Sequence, residues 1–380
     1  MTTGTSTGGR QTRESTDLDS RAAWLALSAL PGIGSRRLAT LISRFGSAEA
    51  VLSASAAEIR ELEGFSERAA RVITRLDLRE AQSMIVAAQA AEQRLLIPTD
   101  AAYPARLRSI PDPPPVLFAR GDVSLFERPA VAIVGSRNHT RYGAEVAADL
   151  AHIAVRAGAV VVSGMALGLD AVAHLAALDG GGTTIGVLGS AVDVVYPAAN
   201  RKLFERVGET GVLLSELPPG SRPHQGSFPR RNRLISGLAQ ALVVVEAREG
   251  SGTLITVNCA LEQGRDVLAV PGPITSPTSR GTNRLLRDGA IPILDPEDLL
   301  RALGMGEPGS PEATELPCNL SPEEAQVLAA LDVESRHIDD IALATGIPIG
   351  TLLGVLLGLE LGGQAEQLPG SQFRRRVSRH

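Results

Sequence analysis

The sequence predicts an α/β protein built around a doubly wound, mostly parallel sheet of the Rossmann type. Hydrophobic residues make up 44% of the 380 residues and aromatic residues only 3%, so Ala, Val, Leu and Ile must pack the core around 39 glycines. Short Val- and Ile-rich runs alternate with stretches of helical spacing, as in a parallel sheet covered by helices on both faces. The predicted strands are residues 130–134, 159–162, 184–188, 212–215, 241–246, 267–270 and 291–294.

The chain before this sheet divides into two parts. Residues 1–20 begin with Thr, Ser and Gly and are predicted to be a disordered N-terminus. Residues 21–98 are rich in Ala, Leu, Arg and Glu and predict a helical domain of the SAM or helix-hairpin-helix type, with glycine-centred turns at 30–34 and 62–66. Prolines at 113–115 mark a change of pattern, and the Rossmann-like domain is assigned to residues 99–303.

The chain after the sheet predicts a linker and a small winged helix. Residues 304–319 are rich in Gly, Pro, Ser and Glu and are assigned to the linker, and residues 320–380 to the winged-helix domain. Ser321 and Pro322 are typical of a helix start. Helices are expected at 339–345 and 349–361. The uncharged stretch 341–359 is broken by glycines and Pro348, so no membrane span is predicted.

The charge and cysteine content exclude several classes of protein. The formal net charge of −5 and the pI of about 5.8 exclude a globally basic protein, so a nucleic-acid site must be a local patch. Cys259 and Cys318 are far apart and neither belongs to a CxxC motif, so neither a disulfide framework nor a metal site is expected. The N-terminal residues lack the apolar segment of a signal peptide, which predicts a cytoplasmic protein.

The first glycine-centred turn is a candidate phosphate contact. Gly32-Ile33-Gly34 resembles a helix-hairpin-helix turn, in which glycine lets backbone amides approach a phosphate, and Arg36 and Arg37 follow it. The second turn, 64–66, lacks the second glycine. The alternative is a helical packing module without a DNA contact.

Several small-residue turns follow the predicted strands directly. Parallel strands bring these turns to one edge of the sheet, where free amides and helix N-termini favour an anion. The turns are residues 134–137, 163–170, 189–197 and 246–253. No turn reads Gly-x-Gly-x-x-Gly, so no dinucleotide cofactor is expected, and the predicted anion is a phosphate backbone. Taken singly, each glycine is also explained by tight strand-to-helix geometry.

Segment 223–233 carries the densest signal for nucleic-acid binding. Four side chains are potential phosphate donors and Phe228 offers a face on which a base can stack. The donors are Arg230, Arg231, Asn232 and Arg233. The alternative is a charged helix N-terminus that pairs with acidic residues of its own domain.

Lys202 and His174 are two further candidates. Lys202 is the one lysine in the sequence and could reach the same edge, or could be a solvated surface residue. His174 lies one helical turn after Asp170, and a buried structural hydrogen bond is the preferred interpretation.

Together these motifs resemble the DprA/Smf family. The string runs from Val134-Gly135-Ser136-Arg137 through Gly164, Asp170, Tyr196-Pro197 and Phe228-Pro229 to Ser251-Gly252-Thr253. The resemblance implies a dimeric single-stranded DNA-binding protein that protects incoming DNA in natural transformation and loads RecA recombinase. It implies DNA contacts by Arg137, Lys202, Phe228, Arg231 and Arg233, with amides from Gly164, Ser251 and Gly252.

Two other functions are alternatives. The fold also resembles LOG-type nucleotide phosphoribohydrolases, but Ile255 and Thr256 stand where that family has acidic residues, so hydrolysis has no evident general acid or base. A winged-helix regulator is the third possibility, but residues 349–359 are almost devoid of basic or amide side chains suited to base readout. The sequence therefore predicts a non-enzymatic protein that binds single strands regardless of sequence.

Overall fold

The computed structural model describes residues 7–305, 321–332, 335–361, 364–368 and 370–375. The chain divides into two compact units, residues 1–308 and 309–380. The predicted linker 304–319 lies almost wholly outside the described residues.

Six helices form the N-terminal part of the first unit. They are α1 (Thr7–Ser28), α2 (Ser35–Phe45), α3 (Ala48–Ser53), α4 (Ala56–Arg60), α5 (Glu67–Ile73) and α6 (Arg79–Ala90). Residues 7–20 of the predicted disordered N-terminus lie in helix α1, whereas residues 1–6 lie outside the described residues. Arg21 explains part of this order: its guanidinium pairs with Asp17 one turn earlier and with Asp100 across the fold. Leu18 then begins the face of α1 that packs into the core.

The sheet of the first unit has nine strands. They are β1 (Arg94–Leu96), β2 (Leu117–Gly121), β3 (Ala130–Val134), β4 (Val160–Ser163), β5 (Thr184–Val187), β6 (Val212–Ser215), β7 (Ala241–Val244), β8 (Asp266–Ala269) and β9 (Ile291–Pro292). Their order is β1-β2-β6-β5-β4-β3-β7-β8-β9. Strands β3 to β9 pair in parallel, and Val131 of β3 lies between Val161 and Ala241. The prediction of a mostly parallel Rossmann-like sheet is confirmed. Strands β1 and β2, which pair antiparallel at one edge, were not predicted.

Helices cover both faces of the sheet. They are α7 (Ala105–Arg108), α8 (Arg141–Arg156), α9 (Leu169–Asp179), α10 (Arg201–Thr210), α11 (Ser227–Leu238), α12 (Thr253–Glu262), α13 (Arg280–Arg287) and α14 (Pro296–Ala302), with 3-10 turns at Val123–Glu127 and Ala198–Asn200. Side chains alternate along each strand. In β3, Val131 and Ile133 pack with α8, α9 and α14, whereas Ala132 and Val134 pack with α7, α11 and α12.

The second unit is a small winged helix. Its elements are α15 (Pro322–Ala330), β10 (Arg336–His337), α16 (Ile338–Thr345), α17 (Ile349–Leu361), β11 (Ala365–Leu368) and β12 (Gln372–Arg375), and its strands form an antiparallel sheet in the order β10-β12-β11. Ser321 caps α15 and Pro322 occupies its first turn, as predicted. Gly346 ends α16 with φ of 69°, a left-handed conformation that glycine adopts without strain.

No single helix in the described part of the chain is long and apolar enough to cross a membrane. Helices Ile338–Thr345 and Ile349–Glu360 reach that length and composition only as a pair, which is bent by 104°. This bend agrees with the two short helices and the intervening turn that the sequence predicts.

A candidate nucleic-acid interface at the switch point of the sheet

The candidate site lies where the winding of the sheet changes direction. The chain runs from β3 through β4, β5 and β6 and then returns to place β7 on the other side of β3. In open α/β sheets ligands bind in the crevice beyond the carboxyl ends of the strands at such a point. A cavity of about 400 Å³, here called the switch cavity, opens there. Its lining is residues 134–138 after β3, Ala166 and Asp170 after β4, Phe228, Pro229, Arg231, Asn232 and Ile235 of α11, and Arg248, 251–253, Ile255 and Thr256 after β7.

Arg231 forms part of the cavity floor and is held by backbone carbonyls. Only 7% of Arg231 is exposed, and its Nη1 donates to the carbonyl oxygens of Gly164 and Val187. The backbone N–H of Gly164 donates to Asp170 Oδ2 at 3.1 Å. A Cβ on Gly164 would lie 2.6 Å from Arg231 Nη1 and 2.7 Å from Asp170 Oδ2. Gly164 is therefore glycine because these two side chains occupy the space beside it.

The buried floor shifts the pKa values of its members. Burial lowers the pKa of Arg231 to about 10, partly offset by Asp170 and reinforced by nearby Arg137. Burial raises the pKa of Asp170, while Arg231 and hydrogen bonds from backbone N–H groups act to lower it. The floor thus holds a buried guanidinium near a buried carboxyl, and each group influences the pKa of the other.

Arg137 lies on an anchored turn at the exposed rim. Thr140 caps α8, and its N–H and hydroxyl both donate to Glu246, a buried carboxylate that follows β7. Gly168 adopts φ of 84°, and a Cβ there would lie 2.6 Å from the Cα of Arg137. This close approach requires glycine. Residues of two other turns thus hold the backbone around an exposed guanidinium.

The start of α12 forms another wall of the cavity. The first-turn N–H groups at Gly252 and Thr253 are at a helix N-terminus, which favours an anion. Ser251 Oγ is buried and has no hydrogen-bond partner within the described residues. Gly252 has open space where a side chain would stand. Arg248 is exposed at this rim and belongs to the turn 246–253, but it was not among the predicted contacts.

Phe228 and Asn232 lie on the α11 side of the cavity, and both are half-buried. The Phe228 ring lies 5.6 Å from the ring of Tyr196, centroid to centroid. A Cβ on Gly189 would lie 2.8 Å from Phe228 Cδ1, so the ring packs against this glycine. The ring of Phe228 is therefore held in place by its packing against Gly189 and Tyr196.

The prediction of a phosphate contact needs correction for Arg233. Only 8% of Arg233 is exposed, and its guanidinium pairs with Asp112 at 2.9 Å and with Glu216 at 2.5 Å. The Ser35 hydroxyl also donates to Asp112, which links α2 to this network. Although burial acts to raise the pKa of Asp112, these partners lower it overall. Arg233 fulfils the alternative of an arginine paired with acids of its own fold.

The structure places the remaining predicted contact residues as follows. Arg231 is buried with protein partners, so its predicted phosphate contact is corrected to a role in the floor. Gly164 and Ser251 cannot offer free amides, because Asp170 accepts the N–H of Gly164 and the carbonyl oxygen of Arg248 accepts that of Ser251. Arg230 is exposed on α11 and lies 3.5 Å from Glu216. Lys202 is exposed in the first turn of α10, outside the cavity lining, and its contact stays a prediction.

His174 is buried, as the sequence analysis expected, but its partner is not Asp170. Its Nδ1 lies 2.6 Å from Thr184 Oγ1, and that hydroxyl donates to the carbonyl oxygen of Val161. His174 Nδ1 must therefore carry the proton and donate to Thr184, which leaves Nε2 unprotonated and without a partner among the described residues. Burial, and then Arg231, lowers the pKa of His174 to about 3.

The cavity carries no group of residues suited to a metal. No cluster of three or more His, Cys, Asp or Glu side chains that could hold a metal ion occurs in the part of the chain that the structure describes. Three guanidinium groups and one carboxyl, that of Asp170, stand among the described lining residues. The arrangement suits an anion with an apolar portion.

Family models match each part of the chain. The model described as DNA recombination-mediator protein A matches residues 94–304, the DprA winged helix domain matches residues 311–371, and a SAM-like helix-hairpin-helix tandem matches residues 25–80. The first match begins at β1, five residues before the predicted boundary of 99.

Relatives and solved structures agree with these matches. The protein Smf of Synechocystis is 34% identical over 94% of this chain and 99% of its own length, and DprA of Bacillus subtilis is 44% identical over 53% and 68%. The structure of DprA from Streptococcus pneumoniae is similar with a TM-score of 0.64 and 31% identity, over 76% of this chain and 96% of that chain. DprA from Helicobacter pylori, which binds single-stranded DNA, is similar with a TM-score of 0.51 and 31% identity over 56% and 95%.

Proposed function

Because this chain belongs to the DprA/Smf family, we propose that it binds single-stranded DNA at the switch cavity, irrespective of sequence. One observation carries the proposal: exposed arginines, a helix N-terminus and a half-buried aromatic ring converge on a single cavity at the switch point. Single-strand binders combine positive charge along the backbone with aromatic faces for the bases in this way. The DNA binding of the H. pylori relative supports the same assignment.

The exposure of each side chain indicates the DNA contact that we propose for it. Arg137 and Arg248 at the rim bind backbone phosphates, and the N–H groups at Gly252 and Thr253 receive a phosphate at the start of α12. Phe228 stacks a base and Asn232 hydrogen-bonds beside it. Arg230 and Lys202 extend the positive surface beyond the cavity. Phosphate contacts and stacking do not distinguish bases, so binding is independent of sequence.

The biological role within the proposal is that of a recombination mediator. The protein protects incoming single strands during natural transformation and loads RecA recombinase on them, acting as a homodimer. Support comes from family membership and from the description of the family as a recombination mediator.

The proposal includes no catalytic step. Ile255 and Thr256 occupy the positions where a phosphoribohydrolase would need acidic residues, and both line the cavity. Asp170, the carboxyl among the described lining residues, is buried and engaged by the N–H of Gly164. A general acid or base must reach the reacting group, and Asp170 is committed to the floor.

Fluorescence anisotropy with labelled single-stranded and double-stranded oligonucleotides across a salt series tests the proposal. We expect tight binding that prefers single strands, varies little with sequence and weakens linearly in log–log plots against salt. Absence of binding at low salt would refute the proposal, and nucleoside monophosphates would then be screened for hydrolysis. RecA loading is tested next, by the rate at which RecA forms filaments on strands coated with single-strand binding protein.

A further inference from the structure

We infer that helix α17 of the second unit packs against α17 of a second copy of this chain, through an outer face that is exposed within the described residues. This surface, here called the α17 face, consists of Ile349, Gly350, Leu353, Gly354 and Leu357. The inference rests on the proposed function in one respect, because it assigns a contact surface to the proposed homodimer. It does not depend on the DNA site, which lies in the first unit.

Helix α17 is apolar on its outer side as well as on the side that packs into its own unit. The inner residues that are buried in the core of the second unit are Leu352, Leu356 and Leu359. On the outer side Ile349, Leu353 and Leu357 are 45%, 49% and 56% exposed. A helix that is hydrophobic all round is normally buried on all sides, and an exposed apolar patch usually marks an interaction site. The α17 face therefore has the character of a contact surface.

The α17 face is complementary to itself in shape. Ile349, Leu353 and Leu357 follow one another at intervals of four residues and form a ridge along the helix. Gly350 and Gly354 have the same interval and form a groove beside this ridge. Ridges and grooves of equal spacing interdigitate when two helices pack. In a two-fold pair the ridge of each copy can thus lie in the groove of the other.

No neighbour within the described residues explains the two glycines of the groove. A Cβ at Gly350 or at Gly354 would meet no atom within 4 Å, so their small size is not required by packing in their own unit. Glycine is also unfavourable inside a helix compared with alanine or leucine. Close approach of a second helix accounts for both glycines, because small residues allow two helix backbones to come together. The groove ends at Gly358, where a Cβ would lie 3.2 Å from Glu324 Oε1.

The absence of charge favours a second copy over a charged partner. No residue of the α17 face is charged, so the face offers no ion pair to a DNA backbone or to a charged protein segment. For the same reason two copies do not repel each other there. The fifteen residues 306–320 lie between the described parts of the two units and span at most about 50 Å when fully extended. A tether of this length lets the α17 helices of two chains meet.

Disulfide linking in the full-length protein tests the inference. Leu353→Cys is introduced into a chain in which Cys259 and Cys318 are replaced by Ser. The central residue of a two-fold contact lies close to its own copy, so mild oxidation should link most chains into dimers on a non-reducing gel. The control is Gln367→Cys in the same background, because Gln367 is an exposed residue of β11 outside the α17 face. It should link at least fivefold less.

Filling the groove tests the packing itself. Gly354→Leu, added to Leu353→Cys, should reduce linking at least tenfold, because the new side chain occupies the space of the partner's ridge. The new side chain has open space in its own unit and favours a helix, so thermal unfolding should show no loss of stability. Ala329→Leu adds the same side chain at an exposed position of α15 and should leave linking unchanged. Linking that Gly354→Leu does not reduce would overturn the inference.

Sedimentation velocity and the oligonucleotide titration separate this inference from the proposed function. If Leu353→Cys does not link while the protein sediments as a dimer, the inference is overturned and the homodimer forms through another surface. If the protein is a monomer at all concentrations and does not link, the inference and the homodimer are both overturned. Linking as expected in a protein that binds no oligonucleotide would overturn the strand function and support the α17 contact.

Discussion

Arg231 Nη1 donates a hydrogen bond of 2.5 Å to the carbonyl oxygen of Gly164, while the N–H of the same glycine is accepted by Asp170. Two buried side chains thus hold one peptide segment at the end of β4. The segment forms the floor of the switch cavity, so the arginine shapes the site from beneath.

Replacing Arg231 should therefore mainly reduce the stability of the folded protein. Arg231→Ala leaves the buried carbonyl oxygens of Gly164 and Val187 without their donor, and each buried acceptor left unsatisfied costs about 1–3 kcal/mol. Urea unfolding should show a loss of that order in the free energy of unfolding. Arg230→Ala is the matched control, because Arg230 is exposed on the same helix and should change stability by less than about 1 kcal/mol. An Arg231→Ala variant of full stability with a reduced salt slope would restore the phosphate contact.

Phosphate contacts should be found at the rim. Arg137→Ala and Arg248→Ala should each weaken binding of all oligonucleotides about equally and reduce the slope of log affinity against log salt by about 1. Anisotropy titrations at several salt concentrations measure this slope. Arg156→Ala, at the opposite edge of the sheet, should keep the wild-type slope. A changed sequence preference with an unchanged slope would contradict the assignment.

Most of the sheet could be predicted because its strands are buried on both faces. The run 130–134 is apolar throughout and the run 212–215 is apolar up to Ser215, and the observed strands Ala130–Val134 and Val212–Ser215 coincide with them. Strands β1 and β2 were not predicted, because they pair antiparallel and lie outside the alternating pattern of the parallel strands. Arg94–Leu96 is also too short to show a periodicity.

The position of the site in the fold could be predicted from the sequence, but the side chains that are free to contact a ligand could not. The rule for parallel sheets brings the turns after β3, β4 and β7 together, and the cavity is there. The exposure of the arginines depends on where α11 begins. It begins at Ser227, so Arg231 shares the buried face with Leu234 and Leu238 at helical spacing. Nothing in the sequence indicates that Asp112, far away along the chain, pairs with Arg233.

His174 should make the protein sensitive to acid. Its pKa falls from the ordinary value of 6.5 to about 3 in the folded protein. Between these two pH values the unfolded chain therefore binds a proton on His174 that the folded protein does not bind. The free energy of unfolding decreases as the pH falls from about 6.5 toward 3. A single proton contributes at most about 1.4 kcal/mol per pH unit. Urea unfolding between pH 6.5 and 4.5 measures the slope.

His174→Asn isolates this contribution, because the amide nitrogen of Asn stands near the position of Nδ1 and still donates to Thr184. The variant should lose stability less steeply with acid than the wild type, whatever its stability at neutral pH. His139→Asn, at an exposed position, should keep the wild-type slope. Equal slopes for the wild type and His174→Asn would show that His174 is protonated in the folded protein.

Substitution of Phe228 separates the contribution of base stacking to DNA affinity from that of charge. Its ring is fixed by Gly189 and Tyr196 and borders the cavity, so a base that stacks on it gains about 1–3 kcal/mol. Phe228→Ala should thus weaken binding by a factor of about 5 to 150, with an unchanged salt slope because no phosphate contact is lost. Phe228→Leu keeps much of the packing on Gly189 but offers no aromatic face, and its affinity should be nearly as low. If Phe228→Ala lowers the melting temperature while affinity is unchanged, the ring belongs to the packing of the protein, and bases are held by the cavity walls alone.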